Sequence, residues 1–211
     1  MTDPKGRGRQ RSSESEEAIL KATLQLLKEK SLRDITVDAI ARKAGVGKMT
    51  IYKWWPSKAY VALDAFRKKM NKVVVMPDTG DTERDLAELL YSIMSFYISP
   101  TGRIFSQFLA ESQSDPEFAV LFREHFLKPR RESVGVFLDR AMKEGAIDHT
   151  LNREILLDLI FGPMVFRLMA GHGALNRAES DAMISTLLRG IRSNAPKLKR
   201  ASGDKAAVIQ V

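Results

Sequence analysis

Residues 36–58 read TVDAIARKAGVGKMTIYKWWPSK, and this stretch decides the fold. Thr36 is a good N-cap, and Val37, Ile40, Ala41 and Ala44 follow at the three- and four-residue spacing of one helix face. Gly45 stops that helix after about two turns, and Gly45, Val46 and Gly47 make a tight turn. Residues 48–55 then read as another short helix, burying Ile51 and Trp55 and presenting Lys48, Met49, Thr50, Tyr52 and Lys53 outward. Two short helices joined by a glycine turn, the second apolar within and polar without, are the layout of a helix-turn-helix.

The flanks complete that unit. Residues 14–30 carry Ile19, Ala22, Leu26 and Leu27 as one buried stripe, with Ser12 and Ser13 as caps and three glutamates in the opening turn. Residues 31–35 are a link. Pro56 breaks the chain and Ser57 caps a longer helix through Val61, Ala65 and Phe66 to about residue 75. Residues 1–12 hold Lys5, Arg7, Arg9 and Arg11 among Gly, Pro and Ser, and are expected to form a flexible basic arm. Such an arm either follows the groove or phosphates beside a bound duplex or serves as a solubilising tail. The helix-turn-helix domain is placed at residues 13–58.

Charge points the same way. The net charge is +8, yet residues 1–72 hold 17 Lys and Arg against 8 Asp and Glu, so the excess lies wholly in the first third. A basic head on a near-neutral remainder suits a head that faces a polyanion, whereas an architectural DNA-compacting protein would spread its charge along the chain. Major-groove edges are read by side chains that hydrogen-bond bases or pack on thymine methyls, and Lys48, Met49 and Thr50 are placed for that. Tyr52, Trp54 and Lys58 are placed for phosphates, Thr36 offers its hydroxyl and a helix N-terminus to another, and Lys53 completes the outward face.

Residues 19–66 resemble the DNA-binding domain of the tetracycline-repressor (TetR) family. The match is carried by Ile40-Ala41, Ala44-Gly45-Val46, Ile51-Tyr52, Trp55, Ser57-Lys58 and Val61. Ser31 stands where the family usually has glycine, and Trp54 where it often has histidine. The resemblance implies that Tyr52 and Lys58 touch backbone phosphates.

Beyond residue 81 the helical period continues, with helices expected over 82–99, 102–112, 116–144, 152–170 and 178–193. The fold class is therefore all-α, about nine helices, with residues 59–194 forming a larger helical regulatory domain and residues 195–211 a frayed tail. A single small reading head distinguishes too few base pairs, so a homodimer on a palindromic operator is expected. Leu156, Leu159, Ile160, Pro163, Met164 and Arg167, with Met183, Leu187 and Ile191, are the expected interface, which the resemblance places on the last two helices. The middle helices are rich in aromatics. Phe96, Phe105, Phe108, Phe122 and Phe126 are either plain core or, with His125, the lining of an apolar pocket for a small-molecule effector. The resemblance puts the effector pocket among these helices, and implies that occupancy moves the reading heads out of register with the groove.

Other classes fare poorly. With no cysteine, only three histidines far apart in sequence and no glycine-rich phosphate loop, the chain carries no enzymatic signature, and neither metal nor cofactor is expected. No apolar run is long enough for a membrane span. The expected location is the bacterial cytosol, on the nucleoid when DNA is bound. The expected function is ligand-responsive, sequence-specific regulation of transcription, with repression as the commonest mode in the family.

Overall fold

The helical period seen in the sequence is realised as helix throughout. The computed structural model describes residues 5–74 and 76–191, with side chains from residue 13 onward. Its helices are α1 (Lys5–Glu29), α2 (Val37–Ala44), α3 (Lys48–Tyr52), α4 (Lys58–Val73), α5 (Thr82–Ile98), α6 (Ile104–Ser114), α7 (Pro116–Phe122), α8 (Lys128–Lys143), α9 (Arg153–Ala170) and α10 (Arg177–Ile191). A π-helical turn, Arg123–Leu127, joins α7 to α8 without a break, so the described residues form nine continuous rods and no strand. The expected single helix over 116–144 is thus present, with a π turn inside it. Pro129 has no N–H to offer the His125 carbonyl, and its ring crowds that carbonyl. The register widens just before it, where the Lys128 N–H donates to the Arg123 carbonyl.

The ends differ in instructive ways. The backbone from Lys5 is already helical, so α1 takes in most of the expected arm; residues 1–4 lie outside the described residues. The tail at 195–211 also lies outside them. The helix expected from Gly102 begins at Ile104, after a turn in which a Cβ on Gly102 would sit 1.9 Å from the Phe96 carbonyl oxygen. Only glycine fits that approach.

Helix α1 packs on α2 and α4, α5 packs on α10 and α9, and α4 reaches both α5 and the π turn. The buried apolar residues accordingly form one cluster from Ile19 to Ile191. Since α4 supplies Val61 and Phe66 to that cluster, the boundary expected at residue 58 separates two surfaces but not two cores.

Candidate nucleic-acid interface

Local capping sets the reading head. The Thr36 hydroxyl accepts the Ala39 N–H at 3.1 Å, starting α2, and still has its own hydrogen to donate outward. Gly45 closes α2 at φ 68°, where the Val46 N–H reaches the Ala41 carbonyl at 3.0 Å and the Gly45 N–H that of Arg42. This left-handed cap turns the chain sharply, and Gly47 then starts α3. Helix α3 is shorter than expected, but the Trp55 N–H still donates to the Ile51 carbonyl at 2.9 Å, so the turn continues through the anchor.

Ile51 and Trp55 are buried as expected, and the Trp55 indole N–H donates to Asp64 of α4 at 3.1 Å. That fixes the roll of α3. Lys48, Met49, Tyr52 and Lys53 are consequently exposed, Met49 at 78%, and Thr50 is half-buried. Trp54 is half-buried, edge-on to Trp55 at 5.5 Å, so its ring serves packing as well as surface. Ser31, in the place of the usual glycine, is not in the left-handed region; its hydroxyl donates to Asp34 at 2.6 Å, and the turn needs no glycine.

Two cations of the head already have partners that the sequence did not reveal. Lys48 bonds Asp38 at 3.0 Å, and that hydrogen bond and charge raise the lysine's pKa above its usual value. Lys58 donates to the carbonyls of Arg33 and Ile35 at 2.8 and 2.9 Å, tying the start of α4 to the α1–α2 link. Its third donor is unassigned, which is the one a phosphate would take. Arg33 of the same link bonds Glu111 at 2.7 Å and also Ser114, both at the end of α6. Sequence separation hid the Arg33 contacts: nothing in the link after α1 announces a partner some eighty residues away.

The body behaves differently from its expected role. Phe96, Phe105, Phe108 and Phe126 surround Phe66 with ring centroids 5.5, 6.5, 5.5 and 5.4 Å away, and Phe122 stacks on Phe126 at 5.4 Å. All are buried. The structure therefore brings the five phenylalanines together, but as rings in contact. His125 is not with them. It is exposed, edge-on to Tyr60 at 5.1 Å, on a cleft of about 650 Å³ between head and body that Arg33, Lys58, Tyr60 and Glu111 also line. One residue of helix rotation separates His125 from Phe126, enough to put them on different faces.

The expected dimer residues need a correction too. Leu156, Ile160, Met164 and Ile191 are buried within the chain, Met183 and Leu187 are half-buried, and Arg167 bonds Glu179 and the Ala174 carbonyl. Helix α9 carries a second apolar stripe that faces out: Ile155, Leu159, Pro163, Phe166 and Met169, with Phe166 at 65% exposure. Of these, the expectation had included Leu159 and Pro163. A helix apolar on two sides gives the same sequence period for either, and only packing tells them apart.

The comparisons with known proteins agree with this architecture. Residues 19–65 match the family described as bacterial regulatory proteins, tetR family, and residues 76–187 match the tetracyclin repressor-like C-terminal domain. The chain belongs to the TetR family. Among its relatives, the HTH-type transcriptional regulator YdeS of Bacillus subtilis is 32% identical over 189 residues, 90% of this chain and 96% of that one. The DNA-binding transcriptional repressor TetR of Mycobacteroides abscessus is 25% identical, covering 86% and 94% of the two chains. The crystal structure of the TetR family regulator SCO0332 superposes with a TM-score of 0.73 at 30% identity, over 84% of this chain and 98% of the other. This TetR-family member is a helix-turn-helix transcriptional regulator and not an enzyme. Among the described residues, no helix is long and apolar enough to cross a membrane, and no group of three His, Asp or Glu is placed to hold a metal.

Proposed function

We propose that the chain acts in the bacterial cytosol as a homodimeric repressor that holds a palindromic operator and releases it when a small apolar effector enters the helical body. The observation that carries the reading is α3: its roll is locked by Ile51, Trp55 and the bond to Asp64, leaving Lys48, Met49 and Tyr52 presented as one exposed edge. Lys48, Met49 and Thr50 read bases, while Thr36, Tyr52, Lys53, Trp54 and Lys58 grip phosphates. Lys48 exchanges Asp38 for a guanine edge or a phosphate, a trade between charged partners with small net cost.

The dimer forms through the outward stripe of α9, Ile155, Leu159, Phe166 and Met169, beside Ala182 and Thr186 of α10, whose small exposed side chains allow close approach. Contiguous apolar exposure of this kind is uncommon on a monomer. Effector entry parts the phenylalanine cluster. Phe105 and Phe108 lie on α6, so a shift of α6 reaches Glu111, then Arg33, and through the Lys58 bonds the start of α2. The ligand shifts the equilibrium only by its preference for the parted state.

Selection of binding sites from a randomised duplex library at physiological salt tests the DNA reading. An inverted repeat is the expected result. A library returning no motif, with affinity collapsing as salt rises, would replace specific regulation by non-specific binding.

A further inference from the structure

Among the described residues, several arginines of the helical body are held by carboxylates. Arg131 bonds Glu154 at 2.8 Å and Asp158 at 2.7 Å, Arg153 lies 3.2 Å from Asp139, and Arg140, Arg167 and Arg177 pair with Asp78, Glu179 and Glu88. Arg130, at the start of α8 just past the π turn, has Nε and Nη2 buried with no hydrogen-bond partner and forms no ion pair among the described residues. Burial lowers its pKa, and the group it faces electrostatically is the Tyr97 hydroxyl, itself pushed far up by burial. A neutral phenol leaves the guanidinium charge uncompensated.

That arrangement is costly. A guanidinium edge buried without a partner loses its hydration for no return, and a methionine would fill the place more cheaply. Buried polar groups are almost always satisfied, so an orphaned pair of N–H groups asks for a partner from outside the chain. Which two atoms are orphaned matters. Nε and Nη2 form one edge of the guanidinium fork, the edge whose parallel N–H bonds match the two oxygens of a carboxylate. Tyr97 beside it is buried and stacks on Phe105 at 4.3 Å, so the surroundings of that edge are aromatic. The adjoining π turn, Arg123–Leu127, is of a kind that gathers at functional sites.

We infer that Arg130 anchors a carboxylate-bearing apolar effector, its Nε–Nη2 edge taking the two carboxylate oxygens and Tyr97 and Phe105 taking the apolar part. The inference rests on the reading that the helical body accepts an effector, and deepens it by naming the effector's charge. The effector is then an organic monoacid with an aliphatic or aromatic body, not a cation or a neutral lipid.

The test uses the purified full chain, calorimetry and thermal unfolding with decanoate and 2-naphthoate, each beside its neutral alcohol, with decylammonium and inorganic phosphate as controls. At least one carboxylate is expected to bind at least about tenfold tighter than its alcohol and to raise Tm, while decylammonium and phosphate do neither. Arg130→Met is expected to raise the ligand-free Tm by about 2–4 °C and to lose the carboxylate preference, with Arg130→Lys retaining part of it. A fall in ligand-free Tm in Arg130→Met, carboxylates binding no better than their alcohols, an equal response to phosphate, or an unchanged preference in Arg130→Met would each overturn the assignment. The two readings separate by operator binding measured alongside. A carboxylate that binds through Arg130 without changing DNA affinity keeps the anion site and removes its effector role. A neutral compound that releases DNA from Arg130→Met as well as from the parent does the reverse.

Discussion

The reading head and the helical body treat their cations in opposite ways. In the head, Lys48 and Lys58 lie at the surface and each is held by a group of the chain, Asp38 in one case and two carbonyls in the other. In the body, Arg130 is half-buried, and its buried Nε and Nη2 are held by nothing among the described residues. In the proposed DNA-bound state the head's contact groups, already oriented by the chain, would exchange one partner for another. The body stores an unmet demand. A rigid contact surface joined to an unsatisfied interior is what a switch requires, because a ligand can shift only an equilibrium it binds unequally.

The largest effect should follow from breaking the body. Phe66→Ala empties the position on which four rings converge, and a cost of about 3–5 kcal/mol is expected. Because α4 serves both regions, thermal unfolding of that variant should remain a single transition. Two separated transitions would show that head and body are independent units after all.

Next comes the pairing of heads. Leu159→Glu with Phe166→Glu places charge on the exposed stripe of α9 without touching the buried one. Sedimentation should show a monomer, and operator affinity should fall on the order of 100-fold or more as the two heads cease to act together. A dimer that survives the double change would move the interface elsewhere.

Smaller effects divide the head itself. Lys48→Ala should relax base preference at one operator position, weakening the best site on the order of tenfold, whereas Tyr52→Phe should weaken all sequences nearly alike. Equal losses on every sequence for both variants would reduce Lys48 to a phosphate contact. The smallest change is expected from Arg33→Ala, where an exposed pair contributes under about 1 kcal/mol to stability. Its signature is a weaker coupling between effector and operator, read as a smaller effector-induced loss of DNA affinity at unchanged operator affinity without effector.

Much of the head was legible because its determinants are local. Thr36, the Gly45 turn, Ile51 and Trp55 lie within twenty residues of one another, and capping and period act over that range. Position 31 shows a limit even there: serine stands where the family usually has glycine, and only the structure shows that the backbone avoids the left-handed region while Ser31 bonds Asp34. The body's element order was legible too, through Pro100, the Asp115-Pro116 pair, Gly145 and Gly171. Its faces were not. The period of α9 contains Ile160 and Phe166 alike, yet one is buried and the other exposed.

By itself, then, the sequence determined that this chain is all-helical, where its helices break, that its positive charge gathers at a helix-turn-helix, and that the family is TetR. These properties depend on neighbours within a few turns and on composition. Only the tertiary structure decided which apolar stripe of α9 is interior, that four phenylalanines meet around Phe66, that Arg33 ties the head to α6, and that two buried nitrogens of Arg130 stand without a partner among the described residues. Those outcomes depend on which helices touch, and residues eighty positions apart exert no influence on one another until the chain has packed.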